Sequence, residues 1–281
     1  MFPCRWHGGT IRQEFTIKRV LTAIVALPLL ILLVLKGSFF LFACFILLLS
    51  FLGLIEYFRM ALPERKPEGM AASLIGAFLP LALVYHDPVR LISSLSAVVI
   101  LSALLFLFRM TDVKRAAGET ALFLMGFFYV PFLLGHLILL RGLPFGVQWI
   151  FLLLTIVMSG DSGAYYVGCR FGKRKLYPAV SPNKSIEGAL GGLAGSLAGA
   201  LIARATFFPE LGGGDAVITA LLLGGIGQLG DLFESLLKRS FGVKDSGVIV
   251  PGHGGILDRL DSIVFAAPAA YYYAMFVFMR L

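Results

Sequence analysis

Long apolar blocks separated by short polar intervals run along almost the whole chain, at about 18–35, 38–57, 71–85, 90–108, 121–140, 147–168, 186–203, 216–236 and 262–279. A helix that crosses a bilayer needs roughly 20 mostly apolar residues, and the hydrocarbon interior offers no water to an unsatisfied backbone group. Nine such blocks consume most of a 281-residue chain. The longest polar intervals, about 169–185 and 237–261, are too short to fold as a soluble nucleotide-binding domain. Composition agrees, because only 14% of residues are charged and 58% are hydrophobic, where a soluble domain carries about 25% charged residues. A soluble enzyme and a disordered chain are both excluded. The expectation is an all-α polytopic membrane protein of about nine transmembrane helices. Any active site must then be assembled from membrane helices and those two loops.

Charge distribution orients the nine spans. With the N-terminus in the cytoplasm, nineteen of the 24 basic residues fall on that side: Arg5, Arg12, Lys18, Arg19, Arg59, Arg65, Lys66, Arg109, Lys114, Arg115, Arg170, Lys173, Arg174, Lys175, Lys184, Lys238, Arg239, Lys244 and Arg259. The outer side keeps Lys36, Arg90, Arg141, Arg204 and Arg280. Cytoplasmic loops are enriched in Lys and Arg, and a missed helix would scramble the asymmetry. The chain is expected to start in the cytoplasm and end outside, with its first apolar block an uncleaved helix. The net charge of +8 follows from that excess and suits anionic headgroups and phosphates, not nucleic acid.

The two halves differ in kind. Residues 1–155 read as a transmembrane scaffold. Glu56, three residues before Arg59, reads as a local ion pair or an interfacial group. Pro28, Pro80 and Pro131 are expected to kink helices, and His86 and His136 to be packed or interfacial. Residues 156–281 bring polar groups into the apolar blocks and read as the catalytic region. Asp161 lies in Ser159-Gly160-Asp161-Ser162-Gly163-Ala164-Tyr165, where a carboxylate in a membrane span needs a cavity or a partner. Ser181-Pro182-Asn183-Lys184-Ser185-Ile186-Glu187-Gly188 places Ser185 to cap a helix, and hydroxyls, a lysine and free N–H groups at a helix start suit a phosphate.

Asp231, Glu234, Ser235 and Lys238 follow at i, i+3, i+4 and i+7, within an arc of roughly 100° on a helix. After Arg239 come Lys244-Asp245-Ser246-Gly247 and Pro251-Gly252-His253-Gly254-Gly255-Ile256-Leu257-Asp258-Arg259-Leu260-Asp261. Glycines let backbone approach an anion, while oxygen ligands with basic neighbours suit Mg²⁺ and a polyphosphate. Asp231 and Asp258, on different helices, stand as joint ligands of such a metal.

The stretch from Ser235 to Asp261 resembles the signature of the phosphatidate cytidylyltransferases, or CDP-diacylglycerol synthases, in both residues and spacing. The one departure is Val250, where the family prefers another apolar residue. The Asp161 and Ser181–Gly188 segments look like that family's polar segments too, with Ser185 where Thr is commoner. The resemblance implies transfer from CTP to phosphatidic acid in phospholipid biosynthesis, giving CDP-diacylglycerol and pyrophosphate at the cytoplasmic face of the inner membrane. It implies that Asp231 and Asp258 hold Mg²⁺ with Asp261 close by, and it leaves open a second, monovalent cation and a homodimer. Lys238, Arg239, Lys244 and Arg259 would hold phosphates and His253 would donate to one. Ser181, Lys184, Ser185, Ser235 and Asp161 would line the substrate site. A transporter also uses intramembrane carboxylates, but the polar motifs crowd one half of the chain and one membrane face. The spaced Asp-Gly and Ala-Arg pattern of CDP-alcohol phosphotransferases is absent.

Overall fold

A computed structural model describes residue 24 and residues 27–84, 87–109, 112–249 and 254–280. The elements are helical: α1 (Leu27–Lys36), α2 (Phe39–Ala61), α3 (Lys66–Gly76), α4 (Leu79–Val84), α5 (Pro88–Arg109), α6 (Val113–Phe127), α7 (Leu133–Gly142), α8 (Gly146–Phe171), α9 (Ile186–Thr206), α10 (Gly213–Ser240) and α11 (Leu257–Phe276). One small antiparallel hairpin, β1 (Lys175–Tyr177) and β2 (Ser181–Ser185), departs from the all-α expectation. It occupies the polar interval between α8 and α9. Seven stretches among the described residues are long and apolar enough to cross a membrane: α2, α3 with α4, α5, α6 through α7, α8, α9 and α10. The protein is a multi-pass membrane protein. Two of the nine expected spans fall outside that set: α1 is shorter, and α11 begins with Asp258, Arg259 and Asp261.

Local chemistry sets the boundaries. Ser38 caps α2 by accepting from Leu41 N at 3.2 Å, and Asp112 caps α6 by accepting from Lys114 N at 2.9 Å. Between α6 and α7, residues Phe128–Phe132 form a π turn around Pro131. Proline has no N–H to give and its ring crowds the preceding turn, so the hydrogen-bond ladder steps over it. The helix continues without a break, and Pro131 shifts its register.

Inside a bilayer, packing rests on van der Waals fit and small residues, since lipid tails are as apolar as leucine. The most intimate pair is α8 with α9. A Cβ at Gly163 would collide with the Gly191 carbonyl, and one at Gly195 with the Ser159 carbonyl, so the two backbones touch. α10 lies across α9 and α11, and α7 ties α11 to the first half. By contrast α5 buries only Ser102 and Phe106, and Phe108 is 78% exposed. That apolar exterior is what a lipid-facing helix requires.

Candidate active site

The polar residues of the second half gather in one layer where the C-terminal half of α10, the start of α11, α8 and the β2–α9 junction meet. Asp231 stands nine residues before the end of α10 and Asp161 ten before the end of α8, so both sit about 15 Å along the helix axis from those ends. Lys184, on β2, reaches Asp231, with Nζ 2.7 Å from Oδ2. Ser185 caps α9 by accepting from Gly188 N at 3.0 Å. Glu187 accepts from the N–H groups of Lys173 and Arg174 at 3.0 and 3.2 Å, which holds the α8 exit against the hairpin.

Lys238 is the hub. Its Nζ donates to Glu234 Oε1 at 3.0 Å, one turn back on α10, and to Asp258 Oδ1 at 2.6 Å, on α11. The other Asp258 oxygen accepts from Ser246 N at 2.9 Å and Gly255 N at 2.8 Å. Gly254 takes φ +86°, in the left-handed region that favours glycine, and aims the loop back at this carboxylate. Asp261 accepts from Ser262 N at 2.6 Å. The charges of Asp161, Asp231 and Asp261 act on one another, with Lys184, Lys238 and Arg259 as the nearby cations. Three helices thus deliver carboxylates into one region, with those three cations near them.

The remaining expected residues take varied places. Ser181 is buried on β2, Ser235 is half-buried on α10, and Lys244 and Arg259 are exposed. Arg239 is also exposed and donates to Val243 O at 3.1 Å, closing the end of α10. His253 and Val250 lie outside the described residues.

Two residues of the supposed scaffold enter the site. Glu56 does not act as a local partner of Arg59. It is buried and accepts from Ser246 Oγ at 3.0 Å, Ile256 N at 2.9 Å and Leu257 N at 3.0 Å. The signal was present: a carboxylate within an apolar block is costly at position 56 as at 161. Tyr129, in the π turn, packs its ring on Phe233 and Phe265 with centroids 5.6 and 6.2 Å apart. Its hydroxyl is buried without a hydrogen bond, as is Glu234 Oε2. Nothing in the sequence around Tyr129 distinguishes it from other apolar-span aromatics.

The donor set suits a hard divalent cation. Asp231, Asp258 and Asp261 offer only oxygen, and Asp258 Oδ1 keeps a lone pair beside its bond to Lys238. Among the described residues no three His, Cys, Asp or Glu side chains form a ready cage. Mg²⁺ does not need one, since it takes one or two carboxylates and completes its shell with substrate phosphates and water.

Such a site, set in a helical membrane bundle and built from carboxylates, lysines and glycine backbone, suits a membrane enzyme that handles phosphate groups. The sequence matches the cytidylyltransferase family over residues 17–277, and the chain belongs to that family. It is 33% identical to the phosphatidate cytidylyltransferase of Bacillus subtilis (strain 168) over 262 residues, covering 91% of this chain and 96% of the relative. Against that of Staphylococcus saprophyticus the identity is 36% over 253 residues, 89% and 95% of the two chains. The phosphatidate cytidylyltransferase of Brucella suis biovar 1 is 47% identical over 162 residues, 57% of this chain and 58% of its own.

Proposed function

We propose that the chain carries out the phosphatidate cytidylyltransferase reaction on the charged layer between α8, α10 and α11. A phosphate oxygen of phosphatidic acid attacks the α-phosphorus of CTP. The new P–O bond forms as the bond to the β-phosphate oxygen breaks, giving CDP-diacylglycerol and pyrophosphate. Phosphatidate brings its own ionised oxygen, so no strong base is needed. The main barrier is repulsion between two polyanions, and phosphoryl-type transfer depends chiefly on positioning and charge stabilisation.

Lys238 supports this reading most directly. Its ammonium bridges carboxylates of two helices at 3.0 and 2.6 Å, so it is held where a substrate phosphate would compete for it. Lys184, 2.7 Å from Asp231, would meet a second phosphate, with the nucleotide at the β2–α9 junction. Arg259 and Lys244, both exposed, would gather the triphosphate. Ser181 and Ser185 would contact nucleotide or headgroup, and His253 would donate to a phosphate. Asp231, Asp258 and Asp261 would hold Mg²⁺, which when bound supplies positive charge to the CTP phosphates. The nineteen basic residues on one side support nine spans, a cytoplasmic N-terminus and a site facing the cytoplasm from the inner membrane.

The test is pyrophosphate release by purified protein in mixed micelles containing CTP, phosphatidic acid and Mg²⁺. Release should require all three and should be lost in Asp258→Asn and Asp231→Asn, both still inserted and monodisperse. Near-normal turnover in either variant would remove that carboxylate from the site.

A further inference from the structure

We infer that Glu56, from the first half of the chain, is a positioning residue for this reaction: it sets Asp258, and through Asp258 the Lys238 ammonium, by fixing the loop on either side. The inference rests on Asp258 and Lys238 acting as proposed above. Glu56 is 1% exposed. Its Oε2 accepts from Ser246 Oγ and Leu257 N, each at 3.0 Å, and its Oε1 from Ile256 N at 2.9 Å. All three donors are neutral.

The reason for a carboxylate here lies in the start of α11. A helix leaves its first N–H groups without partners, and the usual remedy is an oxygen on the N-cap side chain. The N-cap of α11 is Ile256, with helical dihedrals of −65° and −42° and no capping hydrogen bond. Glu56 supplies the missing oxygens from α2, and the positive end of the helix dipole favours its charge. The loop is built to admit it. A Cβ on Gly247 would come 2.5 Å from Glu56 Oε1, and one on Gly255 would collide with both Ser246 Oγ and Glu56 Oε2.

Capping alone would be a structural duty, but the same bonds hold both donors of Asp258. Ser246 gives its hydroxyl proton to Glu56 and its N–H to Asp258 Oδ2 at 2.9 Å, and its hydroxyl oxygen accepts from Asp258 N at 3.3 Å. Gly255, the other donor to Asp258 Oδ2, immediately precedes Ile256, which Glu56 holds. Without Glu56 both donors lose their anchor, and Asp258 is free to turn away from Lys238. Partners that orient a reacting or ligating carboxylate typically carry 10–100-fold in activity, as an order-of-magnitude expectation.

The experiment measures kcat and KM for CTP per folded molecule in Glu56→Gln and Ser246→Ala, with Asp258→Asn in parallel. Glutamine keeps one acceptor oxygen and turns an NH₂ toward a backbone N–H. Glu56→Gln should be monodisperse, with kcat lowered about 10–100-fold and KM for CTP within about threefold of the parent, the pattern of an interaction made in the transition state. If Glu56→Gln does not fold, Ser246→Ala, which leaves no altered charge, must show the same split. Folded variants with kcat within about twofold of the parent, or with KM raised and kcat unchanged, overturn the inference. Asp258→Asn inactive beside an unimpaired Glu56→Gln overturns the inference alone. Normal turnover in Asp258→Asn overturns the site and the inference together.

Discussion

At the scale of single residues, Lys238 shows how a site and a stability element share atoms. It neutralises Glu234, which is 1% exposed, and holds Asp258. Lys238→Ala strands two carboxylates, and breaking a buried pair costs about 3–5 kcal/mol, so both melting temperature and turnover should collapse. The double variant Glu234→Gln/Lys238→Met separates the roles: thermal melting in detergent should recover the part of the loss that Glu234 causes, while pyrophosphate release stays at background. Recovered activity would mean that the lysine only balances charge. Lys238→Arg should not restore turnover, because a planar guanidinium cannot take the place of a compact ammonium between carboxylates at 3.0 and 2.6 Å. The clustering of Asp231, Glu234 and Lys238 was readable from i, i+3, i+7 spacing. The role of Glu56 was not, since its partners lie 190 to 201 residues away and no local pattern encodes a contact that tertiary packing alone creates.

At the scale of elements, the apolar blocks were legible because a bilayer imposes one length and one composition on every span. What escaped was irregular: the break between α3 and α4, the π turn at Phe128–Phe132 and the β1–β2 hairpin. The π turn lies at Pro131, where a kink was expected, so only its form escaped; the other two are short backbone adjustments that no apolar spacing marks. The division at residue 155 falls inside α8, so the catalytic region shares a helix with the scaffold. The α8–α9 pair carries Asp161 and the Ser185 cap on backbones in contact at Gly163 and Gly191. Gly163→Val should therefore lower the melting temperature and depress activity with it, since overpacking costs about 1–3 kcal/mol. Gly225→Ala, whose Cβ would meet nothing within 4 Å, should leave the melting temperature equal or slightly raised, since alanine is favoured over glycine in a helix by about 1 kcal/mol. Thermal melts of both in one detergent decide the matter, and equal destabilisation would mean that close contact at α8–α9 is not what orders the site.

At the scale of the molecule, the basic residues of the expected cytoplasmic loops and the apolar exterior of α5 would fix the body in depth and orientation. A periplasmically active reporter fused after residue 281 should be active, and the same reporter placed between Arg109 and Lys114 should not. The reverse pattern would overturn the nine-span topology. Glu56 adds a constraint in time. It is synthesised 201 residues before Leu257, which at about 5–20 residues per second is a wait of about 10–40 s. Throughout that interval the ribosome has delivered a carboxylate into a membrane helix whose partners do not yet exist. Its partners Ser246, Ile256 and Leu257 arrive only with the loop and the start of α11, so a chain cut short before residue 246 holds this carboxylate without any of them.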